Sequence, residues 1–218
     1  MCGRFNLITT PDQLAIAFDV ANVPEQLVSR YNIAPSQPIT AVRLDPNGDR
    51  EITHFQWGLI PSWAKDEKIG YRMINARSET AHEKPSFRNA FKRRRCLVPM
   101  TGFYEWQKRP EGKQPTHIHL PDYELFAVAG LWEEWRGLQS CTLLTTTPNA
   151  TMEPIHNRMP VILDSADYDL WLDTSAPLPA VQTILKPYES DALVTTPIST
   201  YVNKPGNEGA ECILPLTA

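Results

Sequence analysis

Cys2 stands directly behind Met1, an initiator methionine of the kind that is removed when the second residue is small. Removal would leave a thiol and a free α-amine on adjacent carbons. At neutral pH an α-amine of pKa ~7.8 is roughly a tenth unprotonated, whereas a lysine of pKa ~10.4 is less than about a thousandth so. The terminal amine is therefore the better trap for an electrophile, and a cation or backbone donor near the thiol would raise its reactive thiolate fraction. Such a 1,2-aminothiol can attack an acyl carbon through sulfur with the amine as base. It can also condense with an aldehyde to an imine that closes to a thiazolidine. The alternative is a small hydrophobic residue at the start of a strand.

Three further blocks hold polar residues where the local pattern calls for packing. Asn75 in MINARSET follows an apolar run and precedes Arg77 and Glu79; it is a reactive-site amide or a turn residue capping the next helix. Glu105 in GFYEWQ is turned by strand alternation away from Tyr104 and Trp106, onto the face of Phe103. Desolvation beside aromatic rings would raise its carboxyl pKa and suit a general acid, the other reading being a solvated strand position. His156 and Arg158 lie in IHNRMPVIL, just ahead of an apolar strand, where a histidine serves as catalyst or as structural residue.

Charge is weak overall, with 21 Lys and Arg against 25 Asp and Glu for a net of −4, so an anionic partner must be held by a local patch. Arg4 and Arg77 each lie two residues from Cys2 and Asn75 and could hold phosphates on either side of a reacting centre. Trp63 could stack on a nucleobase or fill a core. The run from Arg88 through Lys92, Arg93, Arg94 and Arg95 reads as a solvated helix end, with a phosphate site as the alternative. His117 and His119 share a strand face but lack a third ligand, so no metal site is expected. The four cysteines include no C-x-x-C pair, and Cys96, Cys141 and Cys212, each in an apolar run, read as reduced, buried thiols of a cytosolic chain. No stretch approaches the ~20 apolar residues that span a bilayer, and no signal-peptide pattern precedes Cys2. A cytoplasmic protein is expected.

The elements that must position these groups are short. Twenty prolines spread over 218 residues disfavour long helices. Strands are expected at 3–8, 39–44, 51–57, 95–100, 102–107, 116–120, 125–132, 140–146, 160–163 and 192–196. Helices are expected at 11–19, where Thr10, Pro11 and Gln13 form a capping signature, and at 78–92, 165–172 and 178–185. Without a βαβ rhythm, the expected fold is α+β with a mainly antiparallel, barrel-like or sandwiched β core and short surrounding helices. No linker divides the chain, so one domain over 2–218 is expected.

MCGRF at the start, RYNIAP at 30–35, WGLIPSW at 57–63, INARSET at 74–80, GFYEW at 102–106, IHNRMP at 155–160 and GNEGAE at 206–211 resemble the SRAP family, whose members shield abasic sites in single-stranded DNA. The resemblance implies that Cys2 condenses with the ring-opened deoxyribose aldehyde to a thiazolidine crosslink. It implies that Asn75 holds the adduct, that Glu105 is the acid and base of ring opening, closure and reversal, and that His156 assists at the Schiff-base stage. It further implies phosphate contacts at Arg4 and Arg77, a DNA path shaped by Asn32 and Pro35, and a DNA-facing Trp63. Removal of Met1 by the protein itself and an abasic-site lyase activity are implied as well, with no cofactor or metal. The expected partner is abasic single-stranded DNA bound by a monomer, with no membrane. The segment AKDEKIGYRMI between Trp63 and Asn75 matches no motif. Two other classes fit parts of the pattern. An N-terminal-nucleophile amidohydrolase of the glutamine amidotransferase kind also begins Met-Cys-Gly, and a noncovalent single-stranded DNA binding module would keep the arginines and the tryptophan without needing Cys2.

Overall fold

In the computed structural model, which describes residues 2–24, 27–189 and 191–216, the β-branched and aromatic runs become thirteen strands in two sheets. They are β1 (Phe5–Leu7), β2 (Arg30–Ile33), β3 (Pro38–Leu44), β4 (Arg50–Trp57), β5 (Asn75–Arg77), β6 (Arg95–Met100) and β7 (Gly102–Arg109). Then come β8 (Gly112–His119), β9 (Phe126–Trp135), β10 (Leu138–Thr146), β11 (Met159–Pro160), β12 (Ile162–Leu163) and β13 (Val194–Pro197). Strands β4, β3, β6, β9 and β10 pair in sequence, and β10 returns to β4, closing a five-stranded barrel. Only the β10–β4 seam of that ring is parallel. Strands β13, β8, β7, β1 and β2 form a separate antiparallel sheet. The α+β, mainly antiparallel, barrel-like core expected from the sequence is therefore present. The two sheets share a core, in which Phe5, Phe103 and Ile118 from the open sheet meet Phe55, Trp57, Val98 and Cys141 from the barrel. Phe5 and Trp57 contact edge to face at 5.2 Å.

Five short helices cover the outside: α1 (Pro11–Phe18), α2 (Ser78–Ala81), α3 (Arg88–Arg93), α4 (Tyr168–Leu172) and α5 (Leu178–Thr183). Helix α1 has the expected capping box, with the Thr10 hydroxyl accepting from the Gln13 backbone and the Gln13 side chain accepting from the Thr10 backbone. The expected helix 78–92 is instead two pieces. Pro85 has no N–H to donate and biases Lys84 away from helical geometry, so α2 ends before it and α3 starts after it. The expected strand 160–163 is also divided, β11 pairing with β10 and β12 with β9. Strands β2 and β5 were not expected, because each has too few residues to show an alternation. Gly58 opens the segment between β4 and β5 at φ +125°, and a Cβ there would sit 2.6 Å from the carbonyl oxygen of Gly70. That backbone contact, with the bond from Leu59 N–H to Met73 O (3.1 Å), closes the base of the excursion leading into Asn75.

Candidate active site at the N-terminus

The segment before β1 runs beside β7: Phe5 lies opposite Phe103, and the Tyr104 N–H donates to the Arg4 carbonyl at 2.9 Å. Continued toward the N-terminus, this register sets Gly3 opposite Glu105 with Cys2 one residue beyond, and the Glu105 carboxylate bears on the Cys2 thiol. Alternation on β7 behaves as the sequence implies, with Phe103 in the core that also holds Cys2 while Tyr104 and Trp106 pack in a separate cluster on the other face. Cys2 is fully buried, and its thiol is 3.9 Å from the Arg4 carbonyl. Burial pushes the thiol up to about 12, and the Glu105 carboxylate adds to the rise because two neighbouring negative charges repel. The thiol is thus held protonated.

Asn75 reaches Cys2 from the barrel. It begins β5, which lies parallel to β10 with Asn75 opposite Leu143, and its amide Nδ2 donates to the Cys2 carbonyl at 2.7 Å. Asn75 Oδ1 is buried and has no hydrogen-bond partner among the described residues. A buried carbonyl oxygen left in this state costs free energy that an incoming donor would recover.

His156 lies in the turn between β10 and β11, and two ties hold that turn against the site. Gln107 on β7 donates to the Pro154 carbonyl at 3.1 Å. Arg158 forms a fork with both Glu79 oxygens at 2.6 and 2.8 Å and also donates to the Thr145 carbonyl. Ile155 packs on the same core as Cys2. Nδ1 of His156 lies 3.0 Å from the Arg158 N–H and 3.2 Å from the Arg158 carbonyl, so it accepts or donates according to the ring tautomer. Neither Gln107 nor the Arg158–Glu79 pair was selected from the sequence. Their role depends on a contact across strands, for which a single chain gives no signal.

The other predicted residues divide by exposure. Arg77 is exposed at the end of β5, opposite Thr145. Trp63 is 57% exposed on the excursion before Asn75, so it fills no core. Pro35 is half-buried in the turn that precedes the exposed Ser36. Two residues expected to contact DNA are buried instead. Arg4 is 9% exposed, and its Nη1 donates to Asn32 Oδ1 (2.7 Å) and the Val202 carbonyl (2.8 Å). Asn32 is fully buried, its Nδ2 donating to the carbonyls of Val202, Lys204 and Asn207. Every polar atom of the Asn32 side chain is engaged, so it braces the C-terminal segment rather than facing a ligand. Glu208 completes the brace by accepting from the Arg30 side chain (3.0 Å) and the Tyr31 backbone (2.8 Å).

His117 and His119 stack at 4.9 Å, between Tyr104 and Tyr123. The Asn6 amide bonds to both His117 Nε2 (2.9 Å) and the Tyr104 hydroxyl (3.0 Å), which fixes β1 against β7 and β8. Burial, with His119 alongside, lowers His117 to about 3. The basic run is split as well: Lys92 and Arg93 are exposed, Arg94 pairs with Glu133 at 2.5 Å, and Arg95 is buried.

A family model described as SOS response associated peptidase (SRAP) matches residues 1–205. Abasic site processing protein YoqW of Bacillus subtilis is 44% identical over 222 residues, covering 98% of this chain and 99% of the relative. Abasic site processing protein HMCES of Gallus gallus is 32% identical over 200 residues, covering 78% of this chain and 59% of that one. Among solved structures, a protein from Bacteroides thetaiotaomicron superposes with a TM-score of 0.87 at 25% identity, covering 99% of this chain and 100% of the other. The motifs that converge around Cys2 are thus embedded in a likeness running nearly end to end, and the chain belongs to the SOS response associated peptidase (SRAP) family.

Proposed function

We propose that this protein processes abasic sites in single-stranded DNA by forming a thiazolidine crosslink between Cys2 and the deoxyribose aldehyde. The observation that carries the reading is the convergence on Cys2 of the Asn75 amide, bonded to its carbonyl, and the Glu105 carboxylate, close enough to bear on its thiol. Once Met1 is removed, the α-amine stands at the same point. With the thiol held up to about 12, the amine is the nucleophile available first. It adds to the aldehyde, whose oxygen takes a proton from solvent; Glu105 accepts the proton that the nitrogen sheds and, with His156 assisting, returns it to the hydroxyl as the carbinolamine loses water to give an iminium ion. The positive iminium then opposes the burial and carboxylate effects that kept the thiol protonated. Glu105, now ionised, accepts the thiol proton while sulfur closes on the iminium carbon. The sum is aldehyde plus aminothiol to thiazolidine plus one water.

Asn75 holds the Cys2 carbonyl, fixing the orientation of both nucleophiles, and its open Oδ1 faces the new ring N–H or a sugar hydroxyl. Arg77 holds a flanking phosphate, and Trp63 supplies a face for a base. His156 removes the sugar α-proton if the imine persists, giving strand cleavage by β-elimination. Glu105 returns a proton to the ring for reversal.

The test is a denaturing gel after mixing with single-stranded DNA carrying an enzymatically generated abasic site. A slow-migrating, heat-stable band is expected for the wild-type protein and none for Cys2→Ala, which should still bind the DNA noncovalently. Wild-type protein that gives no band but hydrolyses glutamine would replace this reading with the amidohydrolase.

A further inference from the structure

Away from Cys2, a cavity of about 540 Å³ opens between α3 and the segment joining α4 to α5. Its wall carries Arg88, Lys92 and Arg95, with His82 alongside, over an apolar floor that includes Phe91 and Leu178. Arg88 and Lys92 are exposed and one helical turn apart, so their charged ends share a face. Arg95 differs from both. It is 5% exposed, it donates one Nη2 bond to the Asp173 carbonyl, it lies 5.4 Å from the Trp171 ring, and its Nε has no partner among the described residues.

A guanidinium is the group that recognises phosphate through a planar fork, and a buried one with an unused donor is costly unless an anion approaches. The acidic groups nearby are spent elsewhere in part: the Asp173 carboxylate bears on Arg95, whereas among the described residues no carboxylate pairs with Arg88 or Lys92. The Asp173 carboxylate accepts from the backbone and hydroxyl of Ser175, and Glu83 sits 3.4 Å from His82. Arg88 and Asn89 also line a second cleft, about 200 Å³, whose other wall includes Trp63 and Pro61. The two hollows therefore meet at α3, one ending in an exposed indole and the other in a cluster of cations.

We propose that the α3 pocket is a second phosphate site, which extends the path of single-stranded DNA beyond Trp63 and takes a phosphodiester far from the abasic residue. This rests on the DNA reading given above but not on the Cys2 chemistry. The phosphate engages Arg88, Lys92 and the free Nε of Arg95, while the apolar floor accepts the sugar or base attached to it.

The experiment uses undamaged DNA, which has no aldehyde, so that failure of the crosslinking reading leaves it unaffected. Wild type and the Arg88→Ala/Lys92→Ala variant are titrated with a long single strand, with a short oligonucleotide covering the Cys2 site alone, and with deoxyadenosine monophosphate, at several salt concentrations. Both substituted residues are exposed, so the fold is preserved; thermal unfolding checks this. For the long strand the variant should lose about 0.7 from the salt slope per phosphate released. The short oligonucleotide should bind both proteins alike. An unchanged slope with the long strand overturns the proposal. If the monophosphate binds wild type and loses the variant while the slope stays unchanged, the pocket serves free nucleotides and the DNA extension is wrong.

Discussion

Asn75→Asp is the substitution that asks most of the site geometry. The native amide donates to the Cys2 carbonyl at 2.7 Å, and an ionised aspartate of the same shape can only accept. It would place a second carboxylate next to a thiol that Glu105 already pushes up. Loss of the bond to the Cys2 carbonyl, one part of what Asn75→Ala removes, forfeits about 0.5–1.5 kcal/mol net, or about 2- to 10-fold in the rate if the bond is kept in the transition state. Replacing it by repulsion resembles the loss of a charge-assisted bond, about 1.5–3 kcal/mol, which is about 10- to 150-fold. The assay is the single-turnover rate of heat-stable adduct formation on abasic single-stranded DNA, with thermal unfolding as control. Because a protonated aspartate can donate its O–H, the deficit should shrink as pH is lowered toward the carboxyl range. Adduct formation by Asn75→Asp within twofold of wild type, at every pH, would refute the role assigned to this bond.

The carboxylate and imidazole roles are separable by step: Glu105→Gln should form a crosslink that persists through a chase with competing abasic DNA, whereas His156→Ala should form it slowly and cleave little. Each is a proton-transfer loss of about 10²–10⁴-fold at most. The Arg158 fork holds the Glu79 carboxyl below its usual range. That stabilisation is present above the ordinary carboxylate pKa and is lost as pH falls through the lowered value. Glu79→Gln should therefore destabilise at neutral pH, by at most about 1 kcal/mol for a partly exposed pair, and match wild type in acid, as read from Tm against pH. His117 is buried neutral with its pKa lowered to about 3, so the unfolded chain takes up its proton first. Stability should fall from about pH 6.5 downward until about 3, by up to about 1.4 kcal/mol per pH unit, and His117→Gln should flatten that part of the Tm profile.

The legible parts of this molecule were those written in local pattern. The capping box of α1 and the Phe103/Glu105 alternation on β7 need only neighbours in sequence, and both stand as expected. The residues proposed to carry the chemistry stood out because a cysteine at position 2 and a carboxylate in an aromatic strand conflict with bland packing, and the fold brings both to one core. What escaped was whatever depends on distant partners. Strands β2 and β5 are short and exist because β1 and β10 pair with them. Arg4 and Asn32 look like surface polar residues until the C-terminal carbonyls are folded onto them. Arg95 reads as one of five solvated cations, yet it is buried and lines a cavity, because the strand it opens packs against α4 and the Trp171 ring.

The central claim, that Cys2 is the atom set joined to DNA, is tested most directly by mass spectrometry of the adduct with abasic single-stranded DNA. The intact species should weigh as much as the protein without Met1 plus the DNA, less one water. Proteolysis should place the modification on the N-terminal peptide that begins with Cys2. An adduct that retains Met1, that maps to a lysine, or that forms equally with Cys2→Ala would contradict the account.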